Sequence, residues 1–268
     1  MDDDPVRLRG WFARGKAMEF YGRLYRFSRG FVRLFWPVYR IDRPDLLTDP
    51  AIYVCRHFNS RGSFQTMPWL KGKIHPWAMY FYCDRELCYN HLMGFTLTRR
   101  FGWQQWKARL WAFLVAGFLP RLMQSVRAIP VYRSSMHVLQ TYRMSVQALL
   151  AGESLLLFAD RDYTSEAQAM GEMYDGFLAL DRLYMRASGK HIPFITLYAD
   201  SATKQLKVGD PLIFQSSSPD KTENERIYES IRAQLSGRNP AQPTADAVPA
   251  DTKHADAANA AGKPDADA

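Results

Sequence analysis

A histidine follows directly on a short apolar strand. Residues 51–55 read AIYVC, and the next seven residues, RHFNSRG, contain His57. In α/β proteins functional groups gather where the strands end. An imidazole that titrates near neutral pH can take a proton from an attacking hydroxyl group. His57 is therefore a candidate general base, and a purely structural histidine is the alternative.

Three later segments support the catalytic interpretation. Residues 127–134 read RAIPVYRS, residues 152–160 read GESLLLFAD, and residues 189–197 read GKHIPFITL. In this order and spacing after His57, over about residues 50–215, the chain resembles the glycerophospholipid acyltransferase superfamily of the lysophosphatidate (1-acyl-sn-glycerol-3-phosphate) acyltransferase type. That family has a histidine and an aspartate separated by four residues, a strand ending in a phosphate-binding arginine, a Phe-Pro-Glu-Gly box and a late Val-Pro-Ile-type strand.

The resemblance implies an activity and roles for individual residues. His57 matches the family's base, Arg133 the arginine that holds the acceptor's phosphate, and Pro193 the proline of the last block. The implied reaction moves a fatty acyl group from acyl-CoA or acyl carrier protein to the hydroxyl of a lysophospholipid, without a bound cofactor, a metal or a covalent enzyme intermediate. The alternatives are a retired relative that binds or regulates lipid, and an acyltransferase for another acceptor.

Two blocks depart from the family pattern at the residues that do chemistry. Gly62 stands where the aspartate of the histidine box belongs, and residues 158–161, FADR, keep only the phenylalanine of Phe-Pro-Glu-Gly. A carboxylate beside the imidazole selects its tautomer and stabilises the cation formed during proton transfer. We name Asp160 as the catalytic carboxylate alongside His57. The other candidates for this role are Asp162, Asn59 and Ser60.

The predicted acceptor site is a set of guanidinium and hydroxyl groups, which match the oxygens of a phosphate. Its predicted members are Arg133, Arg56, Arg61, Arg161, Thr164 and Ser165. The alternative for Arg161 is a structural ion pair with Asp160 or Asp162.

The amino-terminal segment, residues 1–45, concentrates positive charge. Residues 7–43 contain ten basic and two acidic residues, and apolar residues recur at helical spacing at Phe20, Leu24, Phe27, Phe31, Leu34 and Val38. Such a helix suits an anionic membrane surface, and the alternative is a helix packed on its own domain. We expect a peripheral protein on the cytoplasmic membrane face. An anionic membrane, a lysophospholipid and an acyl thioester are the expected partners.

Composition limits the classes of protein that remain. The 268 residues are 47% apolar, which suits one large folded domain, here residues 46–235. Residues 236–268 are rich in Ala, Asp and Pro and predict a disordered tail. Three cysteines and no secretory leader indicate a reduced compartment, and no apolar run is long enough to span a bilayer.

Short apolar runs alternate with helical patterns, which predicts an α/β domain with a mostly parallel sheet flanked by helices. The predicted strands are 51–55, 77–82, 128–132, 155–158, 193–198 and 206–214. The predicted helices are 85–93, 105–125, 136–151, 173–187 and 223–235.

Other patterns are weaker. Cys83, Cys88 and His91, with Cys55 or His57, have metal-ligand residue types but fit no common zinc module. The chain has no Gly-x-Ser-x-Gly elbow for a serine nucleophile and no nucleic-acid-binding motif beside its basic residues. The tract 103–120 predicts a core helix or, alternatively, part of a membrane face or acyl groove.

Overall fold

The computed structural model describes residues 20–57, 61–132, 137–161, 170–216 and 221–237. Its centre is a seven-stranded sheet in the order β1-β7-β6-β2-β5-β3-β4. The strands are β1 (Arg40–Ile41), β2 (Ile52–Cys55), β3 (Ile74–Met79), β4 (Ile129–Val131), β5 (Ser154–Phe158), β6 (Phe194–Asp200) and β7 (Gln205–Val208).

The middle of the sheet is parallel, as predicted. β6, β2, β5, β3 and β4 are neighbours that all run in one direction. β7 pairs with β6 in the antiparallel direction, and β1, the outermost strand on this side, runs parallel to β7. The α/β class with a mostly parallel sheet is therefore confirmed. The C-terminal ends of the five parallel strands meet at one edge, which we call the site edge.

Helices cover both faces of the sheet. They are α1 (Arg23–Phe35), α2 (Gly62–Thr66), α3 (Arg85–His91), α4 (Gln105–Ser125), α5 (Val138–Leu150), α6 (Ala179–Ser188) and α7 (Lys221–Leu235). Successive strand residues enter opposite cores: Ile52 and Val54 join one, and Tyr53 and Cys55 the other. This burial on both faces explains why the parallel strands read as continuous apolar runs.

Most predicted elements are present, and the differences have local causes. β3 begins three residues before the predicted start of its strand, and Tyr80–Tyr82 form a 3-10 turn instead of its end. β1 has two residues and α2 has five, too few to leave a periodic pattern. Leu92–Arg100 form a π-helix between α3 and α4, a conformation for which sequence periodicity gives no signal.

The prediction that 103–120 forms a core helix holds for only one face of α4. That helix buries a stripe of small residues at a spacing of four, Ala108, Ala112 and Ala116, followed by Pro120. The stripe packs against α3 and the π-helix, where small side chains allow close approach. The large side chains point away from this contact, and Trp106, Leu110, Phe113, Leu114 and Phe118 are exposed.

Helix α1 is attached to the domain through polar groups, not through its apolar stripe. The amide of Tyr25 donates to Ser125 Oγ at 2.8 Å, and Arg29 donates to the carbonyls of Pro68 and Leu70 at 2.8 and 2.6 Å. Arg33 also donates to Pro68 O at 2.8 Å. The stripe residues Phe27, Phe31, Leu34 and Val38 are more than half exposed. The alternative of a helix buried by its apolar stripe is thus wrong for these four residues.

Among the described residues, none of the helices has both the length and the apolarity that crossing a bilayer requires. The predicted tail from 238 onward and residues 1–19 lie outside the described part of the chain.

Candidate active site

The register of two neighbouring strands brings His57 and Asp160 together. β2 and β5 are parallel, with Ile52 opposite Leu155 and Cys55 opposite Phe158. His57 lies two residues after the end of β2, and Asp160 lies two residues after the end of β5. The two residues therefore occupy equivalent positions beyond neighbouring strands at the site edge, although 103 positions separate them in the sequence.

The carboxylate of Asp160 binds both the backbone and the ring of His57. The His57 amide donates to Oδ1 and Oδ2 at 3.0 and 2.9 Å, and Nδ1 lies 3.0 Å from Oδ1. Because carboxylate oxygens accept hydrogen bonds, this contact favours the ring tautomer with its hydrogen on Nδ1 and its lone pair on Nε2. The geometry is that of the carboxylate and imidazole in a hydrolase triad.

The residues around Asp160 hold its carboxylate in place. Asp160 forms an isolated antiparallel bridge with Met173. On either side, the Tyr174 amide donates to Ala159 O at 2.8 Å and the Arg161 amide donates to Glu172 O at 3.1 Å. The Asp160 side chain is 6% exposed and that of His57 is 31% exposed. The carboxylate is thus buried behind an imidazole that remains accessible.

Gly62 has no room for the aspartate that the family pattern places there. A Cβ atom on Gly62 would lie 2.0 Å from the carbonyl oxygen of Arg56 and 3.0 Å from that of His57. The Gly62 amide donates to His57 O at 2.7 Å, which explains the close approach. The backbone here excludes any side chain, and Asp160 supplies a carboxylate from the neighbouring strand.

A largely apolar cavity of about 630 Å³ adjoins His57. The His57 ring packs against that of Phe158 at 4.6 Å between centroids, and both residues line the cavity. Phe64 also lines it and is 46% exposed, so the cavity reaches the surface beside α2. Its volume falls within the range of small-molecule sites, and its carbon-rich wall suits a hydrocarbon chain.

Helix α1, which the sequence did not link to the site, and helix α4 form part of the cavity wall. Helix α1 contributes Tyr25, Arg29 and Val32, and the last turns of α4 contribute Leu122 and Met123. The spacing of Tyr25, Arg29 and Val32 on one helical face was the available signal. The more conspicuous apolar stripe on the other face of α1 obscured it. The acyl-groove alternative for the 103–120 tract has partial support, since Leu119 also lines the cavity.

Contact with the cavity distinguishes His57 from two other histidine–carboxylate pairs in the described residues. His75 Nε2 lies 2.7 Å from Glu153, and His191 Nδ1 lies 2.8 Å from Asp181. His75 is near the start of β3, and His191 precedes β6. Both pairs therefore lie at the edge opposite the site, where they join loops to the sheet.

Only some of the predicted phosphate ligands belong to the described residues. Arg133, Thr164 and Ser165 lie outside the described residues, as do Asn59, Ser60 and Asp162. Arg161 pairs with Glu172 at 3.1 Å and lies over the ring of Tyr174, so its predicted pairing with Asp160 is wrong. Arg56 is buried, whereas Arg61 is exposed at the start of α2. Among the described members of this group, Arg61 and Arg161 are the exposed ones.

All three cysteines are free of disulfide bonds and buried. No cluster of three or more His, Cys, Asp or Glu suited to a metal occurs among the described residues. Burial raises the pKa of the Cys83 thiol to about 12 and that of Cys88 to about 11, and burial also raises the pKa of Cys55. His91 stacks on Phe81 at 4.0 Å. The raised pKa values keep these thiols protonated near neutral pH, which lowers their reactivity as nucleophiles.

The buried thiols lead to a direct chemical prediction. At pH 8, below the raised pKa values, the folded protein is expected to show no rapid reaction with Ellman's reagent. Unfolding in guanidinium should release three equivalents, because all three cysteines are free and buried. The absorbance of the released thiolate measures both states. Rapid reaction of one thiol in the folded protein would contradict its burial.

Neither the models of known families nor the curated proteins include a match to this chain. What the site can do follows from the chemistry of His57, Asp160 and the cavity.

Proposed function

We propose that the protein is an O-acyltransferase with the fold of the glycerophospholipid acyltransferases. It would transfer a fatty acyl group from acyl-CoA or acyl carrier protein to the hydroxyl of a lysophospholipid. The observation that supports this proposal is the Asp160-bound imidazole of His57 at the wall of an apolar cavity. A base next to a space for a hydrocarbon chain is what acyl transfer to an amphiphile requires.

The reaction proceeds by direct attack of the acceptor on the donor. Nε2 of His57 takes the acceptor's hydroxyl proton as the oxygen attacks the thioester carbonyl. The tetrahedral intermediate collapses, the C–S bond breaks, and the departing thiolate receives the proton from the imidazolium. Asp160 stabilises that imidazolium through Nδ1–H. The products are an ester and a free thiol, with no net change in protons.

The acceptor's phosphate would bind near the same edge of the sheet. Arg133 follows the last residue of β4 by two positions in the sequence, and the resemblance gives it this role. Arg61 is exposed next to the His57 segment. Guanidinium groups suit a phosphate because they donate two parallel hydrogen bonds.

The amino-terminal helix α1 would hold the protein on the cytoplasmic leaflet. Its apolar stripe is exposed, and Arg23, at its first turn, is exposed as well. Aromatic residues beside arginine favour an anionic lipid surface. Arg29 and Arg33 instead donate to the carbonyls of residues 68 and 70, so they act in attachment of the helix.

Because the arginines of α1 have different roles, substitution of Arg23 should affect vesicle binding, whereas substitution of Arg29 should affect stability. Arg23→Gln is expected to weaken binding to anionic vesicles about fivefold, the effect of one basic residue at such a surface, without lowering stability. Arg29→Gln is expected to lower the free energy of unfolding by about 1.5–3 kcal/mol, because two charge-assisted hydrogen bonds are lost. Vesicle sedimentation at low and high salt, together with urea unfolding, measures both. Equal effects of the two variants on binding and on stability would contradict this division.

The test of the proposed function is acyl transfer by the purified protein. Labelled acyl thioesters of coenzyme A and of acyl carrier protein are combined with a panel of lysophospholipids and with glycolipid acceptors. A lysophospholipid is expected to gain one acyl chain, and the free thiol should appear in equal amount. Product with glycolipids alone would mean that the acceptor is a glycolipid and not a lysophospholipid. Absence of product with every pair of donor and acceptor would contradict the proposed acyltransferase activity.

A second candidate is a lipid-binding module without catalysis. The cavity supports it, because its apolar wall would bind an acyl chain whether or not His57 reacts. Such a protein would retain a fluorescent fatty acid and release no thiol from any donor. Binding with turnover favours the enzyme, and binding without turnover favours the module.

A further inference from the structure

The outer surface of α4 exposes large apolar side chains to solvent. Trp106, Leu110 and Phe113 recur at spacings of four and three, opposite the buried alanine stripe. Leu114 and Phe118 extend this patch by a further turn. We call these five residues the α4 patch. Single exposed apolar residues are ordinary, but a contiguous row of this kind marks an interaction surface.

The charge around the α4 patch indicates an anionic partner. Helix α4 contains three basic residues and no aspartate or glutamate, and the guanidinium of Arg85 in α3 lies 5.2 Å from the centre of the Phe113 ring. On α4 itself Lys107, Arg109 and Arg121 are exposed among the apolar side chains. A second copy of the chain would bring these cations against one another, whereas an anionic lipid leaflet attracts them and accepts the apolar side chains.

The topology places the first turns of α4 at the same end of the molecule as His57. β3 and β4 are parallel neighbours, so the segment joining them must return from the site edge to the opposite edge. α4 ends at Ser125, just before β4 begins. Its 21 residues span about 31 Å, whereas the six residues of β3 span about 20 Å. The Trp106 end therefore projects beyond the site edge.

Helix α1 reaches the same end. Its beginning lies near the opposite edge, because the Tyr21 hydroxyl bonds to the backbone of Ile74 at the start of β3. Its last turn lies near the site edge, because Trp36 stacks on Phe64 of α2, which follows β2. Phe35 and Phe64 are both exposed at this end of the molecule, and Phe64 lines the cavity.

We infer that the α4 patch inserts into an anionic lipid leaflet and turns the site edge towards the membrane. An amphiphilic substrate then enters the cavity beside Phe64 from the bilayer. Insertion by α4 does not depend on acyl transfer and is measured without an acyl donor. An inserted but inactive protein would reject the proposed function and leave this inference intact.

The experiment uses a fluorescent probe at one position of the full chain. The three native cysteines are buried, so Leu110→Cys introduces a single reactive thiol on α4. Glu229→Cys, at an exposed position of α7, is the matched control. Each variant is labelled with an environment-sensitive nitrobenzoxadiazole dye. The vesicles contain phosphatidylcholine alone or an equimolar mixture with phosphatidylglycerol.

The expected result is a blue shift and a gain in emission at position 110 with phosphatidylglycerol vesicles, together with quenching by lipids brominated in the acyl chain. Position 229 should show neither effect. No change at position 110 while the protein sediments with vesicles would overturn the inference. A change at position 110 that requires no vesicles and grows with protein concentration would assign the patch to self-association and also overturn it.

A substitution pair provides an independent measurement. Leu110→Ser should weaken partition onto phosphatidylglycerol vesicles about tenfold or more, as expected when an inserted leucine is lost. Leu150→Ser changes a leucine of similar exposure, 49% against 53%, at the C-terminal end of α5. It should leave partition unchanged. Equal effects of the two substitutions would overturn a specific role for α4.

Discussion

Replacing His57 by alanine is expected to lower acyl transfer by about a thousandfold to ten-thousandfold, with little change in stability. The general base is lost, while the imidazole is 31% exposed and contributes little to the core. Asp160→Asn is expected to lower turnover by a similar factor. The amide keeps the shape of the carboxylate but loses its charge and favours the wrong imidazole tautomer. Initial rates with saturating donor and acceptor measure both effects.

The double variant shows whether the two residues act as one unit. His57→Ala combined with Asp160→Asn should be no slower than His57→Ala alone, because Asp160 acts through the imidazole. The matched control is His191→Ala, which breaks a histidine–aspartate contact of 2.8 Å at the opposite edge of the sheet. That variant should retain normal turnover. If the losses of the two site variants multiply, Asp160 does not act through His57.

Gly62→Asp is expected to damage the protein instead of restoring the family's missing acid. The new Cβ would meet the carbonyl oxygen of Arg56 at 2.0 Å, and backbone cannot move aside as a flexible side chain can. Overpacking of this kind costs about 1–3 kcal/mol of stability. Urea unfolding of Gly62→Asp and Gly62→Ala should show comparable losses, because the clash involves the Cβ that both residues share.

Gly171→Ala is the matched control for this prediction. An added Cβ at Gly171 meets no heavy atom of the described residues within 4 Å, so the free energy of unfolding of this variant should stay within about 0.5 kcal/mol of the wild type. A stable Gly62→Asp protein with faster acyl transfer would contradict the proposal that Asp160 takes the place of the missing acid.

The sequence was sufficient for the class of fold because the relevant signals are local. Buried parallel strands such as 154–158 consist of apolar runs, and helices such as α5 bury residues at helical spacing over several turns. His57 and Asp160 could both be selected as candidates, since each follows an apolar strand. Element ends were less certain, as β3 shows, because a strand's limits depend on its neighbours.

Tertiary structure decided which of the candidate groups meet. The sequence offered four side chains to support His57, and the register of β2 against β5 places Asp160 beside it, while the other three lie outside the described residues. The exclusion of an aspartate at Gly62 depends on the carbonyl of Arg56, which no local pattern encodes. Likewise, the sequence predicted a core helix for the 103–120 tract, but α4 packs through its alanines and leaves its large apolar side chains exposed. For α1 the sequence left open whether the apolar stripe faces a membrane or the domain, and the structure attaches this helix through polar groups. Composition and spacing determine which side chains can pack or react, whereas the distances that decide whether they do so depend on chain segments far apart in the sequence.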